Sequence, residues 1–272
     1  VTMQDRPIAF IGGGNMAQAI LTGLLAAKFA PSNMLVCAPT LATRKALTTK
    51  FSLNVSEGNC DAITFADVIF IAVKPKLVET VASELKQAMK LAEKQPLIIS
   101  LAAGVTTAQL QKYFGDKSHV FAAMPNLPSA VGQGLTGVVA GKNCDTNSIR
   151  LVDELLSCCG KTLWLKDERQ MPAIVASAGS APAYFFLFLE AMIASAQKLG
   201  LSYQDAKTAA LQSGMGALTM AAQSPLSVVE LKEQVTSPNG TTHQALASFA
   251  DNNLKLVVEQ AMHAAAKKAA SY

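Results

Sequence analysis

What this chain lacks narrows it before any motif does. Its 272 residues hold five cysteines, none spaced as C-x-x-C, and only three histidines, His119, His243 and His263. That argues against a zinc site, and no metal is expected. Cys37, Cys60, Cys144, Cys158 and Cys159 instead read as core thiols of a reducing compartment, the cytoplasm. Charge is sparse: acids and bases make up 15% of the chain and the net charge is only +4. No Lys/Arg run and no basic–aromatic interleaving appears, which leaves nucleic acid without support as a partner. No charged-then-apolar leader opens the sequence, and Val1 suggests a processed start. Residues 171–189 and 208–229 are long and uncharged, yet the first meets Glu190 too soon and the second is too polar for a membrane span.

What is present begins at residues 8–17, IAFIGGGNMA. An apolar, strand-forming run enters a glycine turn, and Ala19, Ile20, Leu21, Leu24 and Leu25 then recur as a helical pattern. Gly12, Gly14 and Ala17 fill the G-x-G-x-x-G/A spacing of a dinucleotide fingerprint. Gly12 permits the tight turn, Gly14 lets the backbone approach a pyrophosphate, and Ala17 lets helix and strand pack closely. The phosphates would meet free N–H groups at the positive end of a helix dipole. A purely structural glycine turn is the alternative; the strand before and the helix after favour the cofactor.

From residue 8 to about residue 165 strand and helix signals alternate. Residues 34–38, 67–73 and 96–100 are short apolar runs suited to parallel strands covered on both faces. Further strands are expected at 119–123, 134–140 and 162–165, and helices at 41–51, 76–91 and 147–159. Pro75 suits a helical first turn, and Thr106 with Gln109 makes a capping box. The pattern predicts an α/β fold with a doubly wound parallel, Rossmann-type sheet. Beyond Lys166 strand signals stop, and helices are expected at 168–175, 182–199, 202–222, 227–235 and 241–269, with capping boxes at Ser227/Glu230 and Thr241/Gln244. The chain thus divides into a dinucleotide-binding domain, residues 1–166, and an all-helical domain, residues 167–272. Residues 182–196 are apolar almost all round. A helix without a polar face must be buried on every side, and in so small a domain that points to a subunit partner.

In NAD enzymes an acid about 20 residues past the glycines takes the ribose hydroxyls. Here the second strand ends Cys37-Ala38-Pro39-Thr40 without a carboxylate, and Arg44 and Lys45 follow. A 2′-phosphate would meet a hydroxyl and cations rather than a repelling acid. NADPH is therefore the expected donor, with NADH a weaker one. Arg44 as a solvated helix residue is the bland alternative.

The β-hydroxyacid dehydrogenases share this domain order and carry a lysine acid/base on the helix after a Gly-rich motif. Here residues 178–184, AGSAPAY, lead into a stretch with no lysine or histidine up to Gln197. Alcohol-forming chemistry is poorly supported. The second informative stretch is VTSPNGTT, residues 235–242. Pro238-Asn239-Gly240 is a turn sequence, and Thr241 is expected to cap a long helix. Free N–H groups with the Ser237, Thr241 and Thr242 hydroxyls would make a carboxylate seat. A well-capped helix without a ligand explains the same residues.

At this point the chain resembles the Δ1-pyrroline-5-carboxylate reductase family over essentially its whole length. The matching segments are IGGGNMA at 11–17, AVKP at 72–75, SLAAGV at 100–105, MPNLP at 124–128, AGSAPAYFF at 178–186 and VTSPNGTT at 235–242. Leu127, Ala178 and Asn239 depart from the threonine, serine and glycine usual in the family. The resemblance implies NADPH-dependent reduction of the cyclic imine L-1-pyrroline-5-carboxylate to L-proline, the last step of proline biosynthesis. It makes Thr242 the catalytic residue, bonding the ring nitrogen or delivering a proton. It places Ser237, Gly240, Thr241 and Thr242 around the substrate carboxylate, and Glu168 beside the substrate. On the cofactor side it points to Asn15 and Met16 at the phosphates, Thr40 near the adenosine and Asn59 at the ribose. Ala72, Val73 and Lys74 follow at a strand end, then Ala102, Ala103, Gly104, Pro125 and Asn126 at the nicotinamide. Lys74 reads equally well as a plain strand-end cation, His243 as a first-turn helix residue, and Trp164, Phe185, Phe186 and Phe188 as core or subunit contacts. The family forms homodimers through the helical domain and, in many members, rings of dimers. Another NADP-dependent imine or hydroxy-acid reductase, or a non-catalytic NADP-binding regulator, are the competing readings.

Overall fold

The computed structural model describes residues 3–272. Its strands β1 (Ile8–Ile11), β2 (Met34–Cys37), β3 (Asn54–Ser56), β4 (Val68–Ile71), β5 (Leu97–Ser100), β6 (Val120–Met124), β7 (Gly134–Ala140) and β8 (Gly160–Trp164) form one 8-stranded sheet. The order is β3-β2-β1-β4-β5-β6-β7-β8. Every residue of β1, β2, β4 and β5 is buried. Successive side chains leave opposite faces of a strand, and both faces are covered. Ile8 and Phe10 enter one core cluster while Ala9 and Ile11 enter the other. Val68 and Phe70 divide from Ile69 and Ile71 in the same way. Phe10 stacks on Phe70 with ring centroids 4.7 Å apart. Each such side chain contributes about 1.5–3 kcal/mol on burial, which makes the sheet a firm floor for the loops at its edge.

The expected parallel sheet is corrected at one side. Pairing is parallel from β3 through β6, but β7 runs antiparallel to β6 and β8 follows β7. The link from β6 to β7 holds only a 3-10 turn, Leu127–Val131, and a parallel return needs a full crossover. The first helices are α1 (Asn15–Ala26), α2 (Leu41–Phe51), α3 (Asp61–Phe65), α4 (Val78–Ala92), α5 (Thr107–Phe114) and α6 (Thr146–Ser157). Thr106 and Gln109 close both bonds of the capping box on α5. The sequence pattern does not predict β3 and α3: the strand has three residues with only Val55 apolar, and the helix is a single turn. The chain winds outward from β1 through β2 to β3, and the other way through β4, β5 and β6. Ligands of such sheets sit at the carboxyl ends of the strands where the two windings part, here β1 and β4.

Past β8 come a 3-10 turn (Glu168–Gln170), α7 (Met171–Ile174), a π turn (Val175–Gly179), α8 (Ala181–Lys198), α9 (Tyr203–Gln223), α10 (Val228–Gln234), α11 (Thr241–Asp251) and α12 (Leu254–Ala269). One compact unit extends to Ser180 and takes in Ala265–Tyr272; the other is Ala181–Ala264. Strands end near Lys166, but the first unit continues because α7 lies on the sheet. A side chain at Gly137 would come within 2.7 Å of Ile174 Cγ2. The single helix expected over 241–269 is two, α11 and α12. Asn253 takes a left-handed φ of 56° between them, a conformation Asn tolerates, while the apolar pattern carries on across the break. Ser227 and Glu230 form their capping box as expected.

The apolar helix α8 buries only Ala181; Phe185, Phe186, Leu187 and Phe188 are all exposed in the single chain. The covering expected on every side is absent within one copy. Glu168–Lys198 also has the length and hydropathy, 1.5, of a membrane span, because the helical stretch continues through Glu190 instead of ending there. The π turn interrupts its α-helical part.

Candidate active site

The glycine turn after β1 is closed behind and open in front. Gly12 has φ +98°, and a Cβ there would lie 2.6 Å from the carbonyl oxygen of Ala72. Only glycine suits both conditions. Gly12 N–H donates to Cys37 at 2.8 Å and Ala72 N–H donates to Ile11 at 2.8 Å, so the turn is bolted to both neighbouring strands. At Gly14, by contrast, a Cβ would meet nothing within 4 Å. Gly14 caps α1 without any side-chain bond, leaving the N–H groups of the first helical turn, at Asn15 and Met16, free for an anion. Ala17 is fully buried and acts through its small size, not by touching a ligand. A cradle filled behind and empty in front fits a pyrophosphate.

At the end of β2 the structure revises the expectation for Arg44. Its Nη1 donates to the carbonyls of Ala38 at 2.7 Å and Pro39 at 2.8 Å, and its Nη2 to Glu57 Oε2 at 2.9 Å. It is an anchored group, not a solvated one. Thr40 donates its hydroxyl to Thr43 at 2.7 Å, and Asn59 Nδ2 donates to Glu84 Oε2 at 2.8 Å. Both side chains are thus engaged with α2 and α4. Val73 follows Ala72 at the end of β4, and Lys74 beyond it is exposed and in no ion pair among the described residues.

Along the sheet edge, Ala102, Ala103, Gly104, Glu168, Met171 and Tyr272 help line an apolar cavity of about 270 Å³ within the first unit. The cavity brings the loop after β5 together with Glu168, an acid far along the sequence. Gly104 takes φ +77° and lies against Tyr272. Met171 and Tyr272 carry no motif, and nothing in the sequence pattern points to them. Two residues expected at the ligands also fasten the fold. The Glu168 carboxylate accepts the backbone N–H of Thr107 at the start of α5. Asn126 is buried beside Pro125, donating through Nδ2 to Ala178 at 3.0 Å and accepting the Leu135 N–H at 2.9 Å. One of its two side-chain N–H donors and its side-chain carbonyl oxygen hold the π turn to β7.

In the second unit, Asn239 takes φ 60°, as its place in the turn asks. Gly240 is the extended N-cap of α11, so Thr241 is the first helical residue and not the cap. The Gly240 N–H donates to the Ser237 carbonyl at 3.1 Å and closes the turn. The N–H groups of Thr241 and Thr242 stay free as first-turn donors. The hydroxyls of Ser237, Thr241 and Thr242 make no hydrogen bond among the described residues. Tyr184 Oη, in the AGSAPAY stretch, is buried without a partner among the described residues, a feature the sequence gives no sign of.

All five cysteines are unpaired. Burial pushes the thiols of Cys37 and Cys159 up to about 12. Cys60 is exposed, which corrects its reading as a core thiol. Trp164 donates to Asp153 at 2.8 Å and meets Phe121 edge-on, a core role. Among the described residues no group of His, Cys, Asp and Glu could hold a metal ion.

Comparison with known proteins matches residues 168–272 to the family model for pyrroline-5-carboxylate reductase dimerisation. Residues 7–104 match that of NADP oxidoreductase, coenzyme F420-dependent. The pyrroline-5-carboxylate reductase of Pseudomonas aeruginosa is 39% identical over 98% of this chain and 97% of its own length. That of Haemophilus influenzae is 39% identical over 96% of both. Among solved structures, a pyrroline-5-carboxylate reductase from Coxiella burnetii superposes with a TM-score of 0.88 at 38% identity, covering 97% of each chain. The Plasmodium falciparum pyrroline carboxylate reductase with NADP bound does so with a TM-score of 0.88 at 29% identity, covering 99% of each. With such relatives along nearly its whole length, the chain belongs to the pyrroline-5-carboxylate reductase family.

Proposed function

We propose that the protein reduces L-1-pyrroline-5-carboxylate to L-proline with NADPH as donor. The single observation that carries the cofactor half is the turn at Gly12–Gly14, tight against Ala72 behind and open in front. When bound, NADPH supplies the hydride that the electrophilic carbon of the imine accepts. Asn15 and Met16 offer N–H groups to the phosphates, and Lys74 a charge at the strand end. The loop Ala102–Gly104 takes the nicotinamide side.

The substrate half rests on Ser237–Thr242. The free N–H groups of Thr241 and Thr242 hold the carboxylate at the positive end of α11. The Thr242 hydroxyl, unspent in the fold, bonds the ring nitrogen. A protonated imine is already electrophilic, so it needs no strong acid beside it. That agrees with a helix α8 that carries no lysine or histidine before its last residue, Lys198.

A homodimer through the helical domain is supported by the exposed aromatic row of α8, since soluble monomers rarely leave so large an apolar face open. A ring of such dimers is the further assembly the resemblance implies, and unpaired cysteines suit a reducing, cytoplasmic setting. Assays of NADPH consumption with pyrroline-5-carboxylate, pyrroline-2-carboxylate and piperideine-2-carboxylate test the substrate. Clear preference for either of the last two would replace the proposed reaction with another imine reduction.

A further inference from the structure

We propose that Glu57 is a cofactor-selecting residue, competing with the 2′-phosphate of the bound dinucleotide for the guanidinium of Arg44. The inference rests on the NADPH reading above and concerns how sharply that donor is chosen over NADH. β2 and β3 pair in parallel with Cys37 opposite Ser56, so the residues that follow them, Ala38 and Glu57, leave the sheet side by side. The acid missing from the end of β2 is therefore supplied by the neighbouring strand.

Arg44 reaches back from α2 and spends Nη1 on the carbonyls of Ala38 and Pro39, closing the turn where the adenosine ribose is expected. Its Nη2 faces Glu57 Oε2 at 2.9 Å. The two side chains differ in freedom: that of Arg44 is 13% exposed and that of Glu57 74%. The guanidinium is fixed and the carboxylate can swing away. The loop after β3 does not depend on the pair, since Gly58 N–H donates to Ser56 Oγ at 3.1 Å and Ser56 in turn donates to Asp61.

A 2′-phosphate and a guanidinium form strong, directional hydrogen bonds, so NADPH displaces Glu57 from Arg44. A 2′-hydroxyl cannot displace it, and Glu57 is then placed to accept that hydroxyl, as the acid at the end of the second strand does in NAD enzymes. The pair thus admits both donors and holds the preference for NADPH below what Arg44 alone would give.

Calorimetric titration of the unaltered protein and of Glu57→Gln with NADPH and with NADH tests this without relying on turnover. The substitution should raise the ratio of the NADH to the NADPH dissociation constant about fivefold. In an Arg44→Gln background the rise should be clearly smaller, because the competition for the guanidinium is gone and only the direct meeting of Glu57 with the 2′ group remains. An unchanged ratio, or an equal rise without Arg44, overturns the proposal while leaving NADPH binding in place. An unaltered protein that binds neither dinucleotide removes the cofactor reading and this inference together.

Discussion

The carboxylate of Glu168, just past the last strand, accepts the backbone N–H of Thr107, the first residue of α5. A negative charge thereby satisfies a free donor at the positive end of a helix, and the loop after β5 is tied to the segment that follows the sheet. Glu168→Gln keeps an acceptor and loses the charge, so it should cost about 0.5–1 kcal/mol in a denaturant melt. Glu168→Ala should cost about 1–2 kcal/mol. Glu168→Gln should also leave KM for the imine acid within about threefold. A large rise in KM at unchanged stability would return Glu168 to direct substrate contact.

Thr242 carries the opposite expectation, because its hydroxyl has no role in the fold. Thr242→Ala should lower kcat about a hundredfold, the low end of what a positioned proton-transfer group contributes. Titration with NADPH should give an unchanged dissociation constant, and Thr242→Ser should recover most of the rate. Full turnover in Thr242→Ala would remove it from the chemistry.

The two glycines of the turn should separate stability from binding. Gly12→Ala forces a side chain into φ +98° and against Ala72, and should cost about 2 kcal/mol or more in a melt. Gly14 has an ordinary φ of −73° and open space before it, so Gly14→Ala should melt almost unchanged yet bind NADPH poorly. If Gly14→Ala bound NADPH as well as the parent, the open side of the turn would not be where the phosphates sit.

Thiol reactivity offers an independent check on the core. Burial holds the thiols of Cys37 and Cys159 protonated to about 12, so neither is nucleophilic at about pH 8. A bulky disulfide reagent should label Cys60 first in the native protein and reach Cys37 and Cys159 only on unfolding, as peptide mapping would show. Early labelling of Cys37 would mean that β2 is not sealed.

How far the sequence is legible follows from how each element is specified. β1, β4 and β5 are continuous apolar runs and α2 and α5 have clear ends, so local patterning suffices. The reversal at β7 depends on a short link between strands, and the break at Asn253 on one backbone angle; neither disturbs the apolar pattern. At the site, Gly12 and Gly14 are readable because their roles are steric and local. The bonds that Glu168 and Asn126 make are not, since their partners Thr107 and Ala178 lie 61 and 52 positions away. Glu57 is invisible for the same reason: only the register of β2 with β3 brings it to Arg44.

The most direct measurement is NADPH oxidation by the purified protein with L-1-pyrroline-5-carboxylate, with the product identified chromatographically. The expected result is NADPH consumption matched mole for mole by L-proline. A folded protein that binds NADPH and yields no proline from this imine would contradict the proposed function.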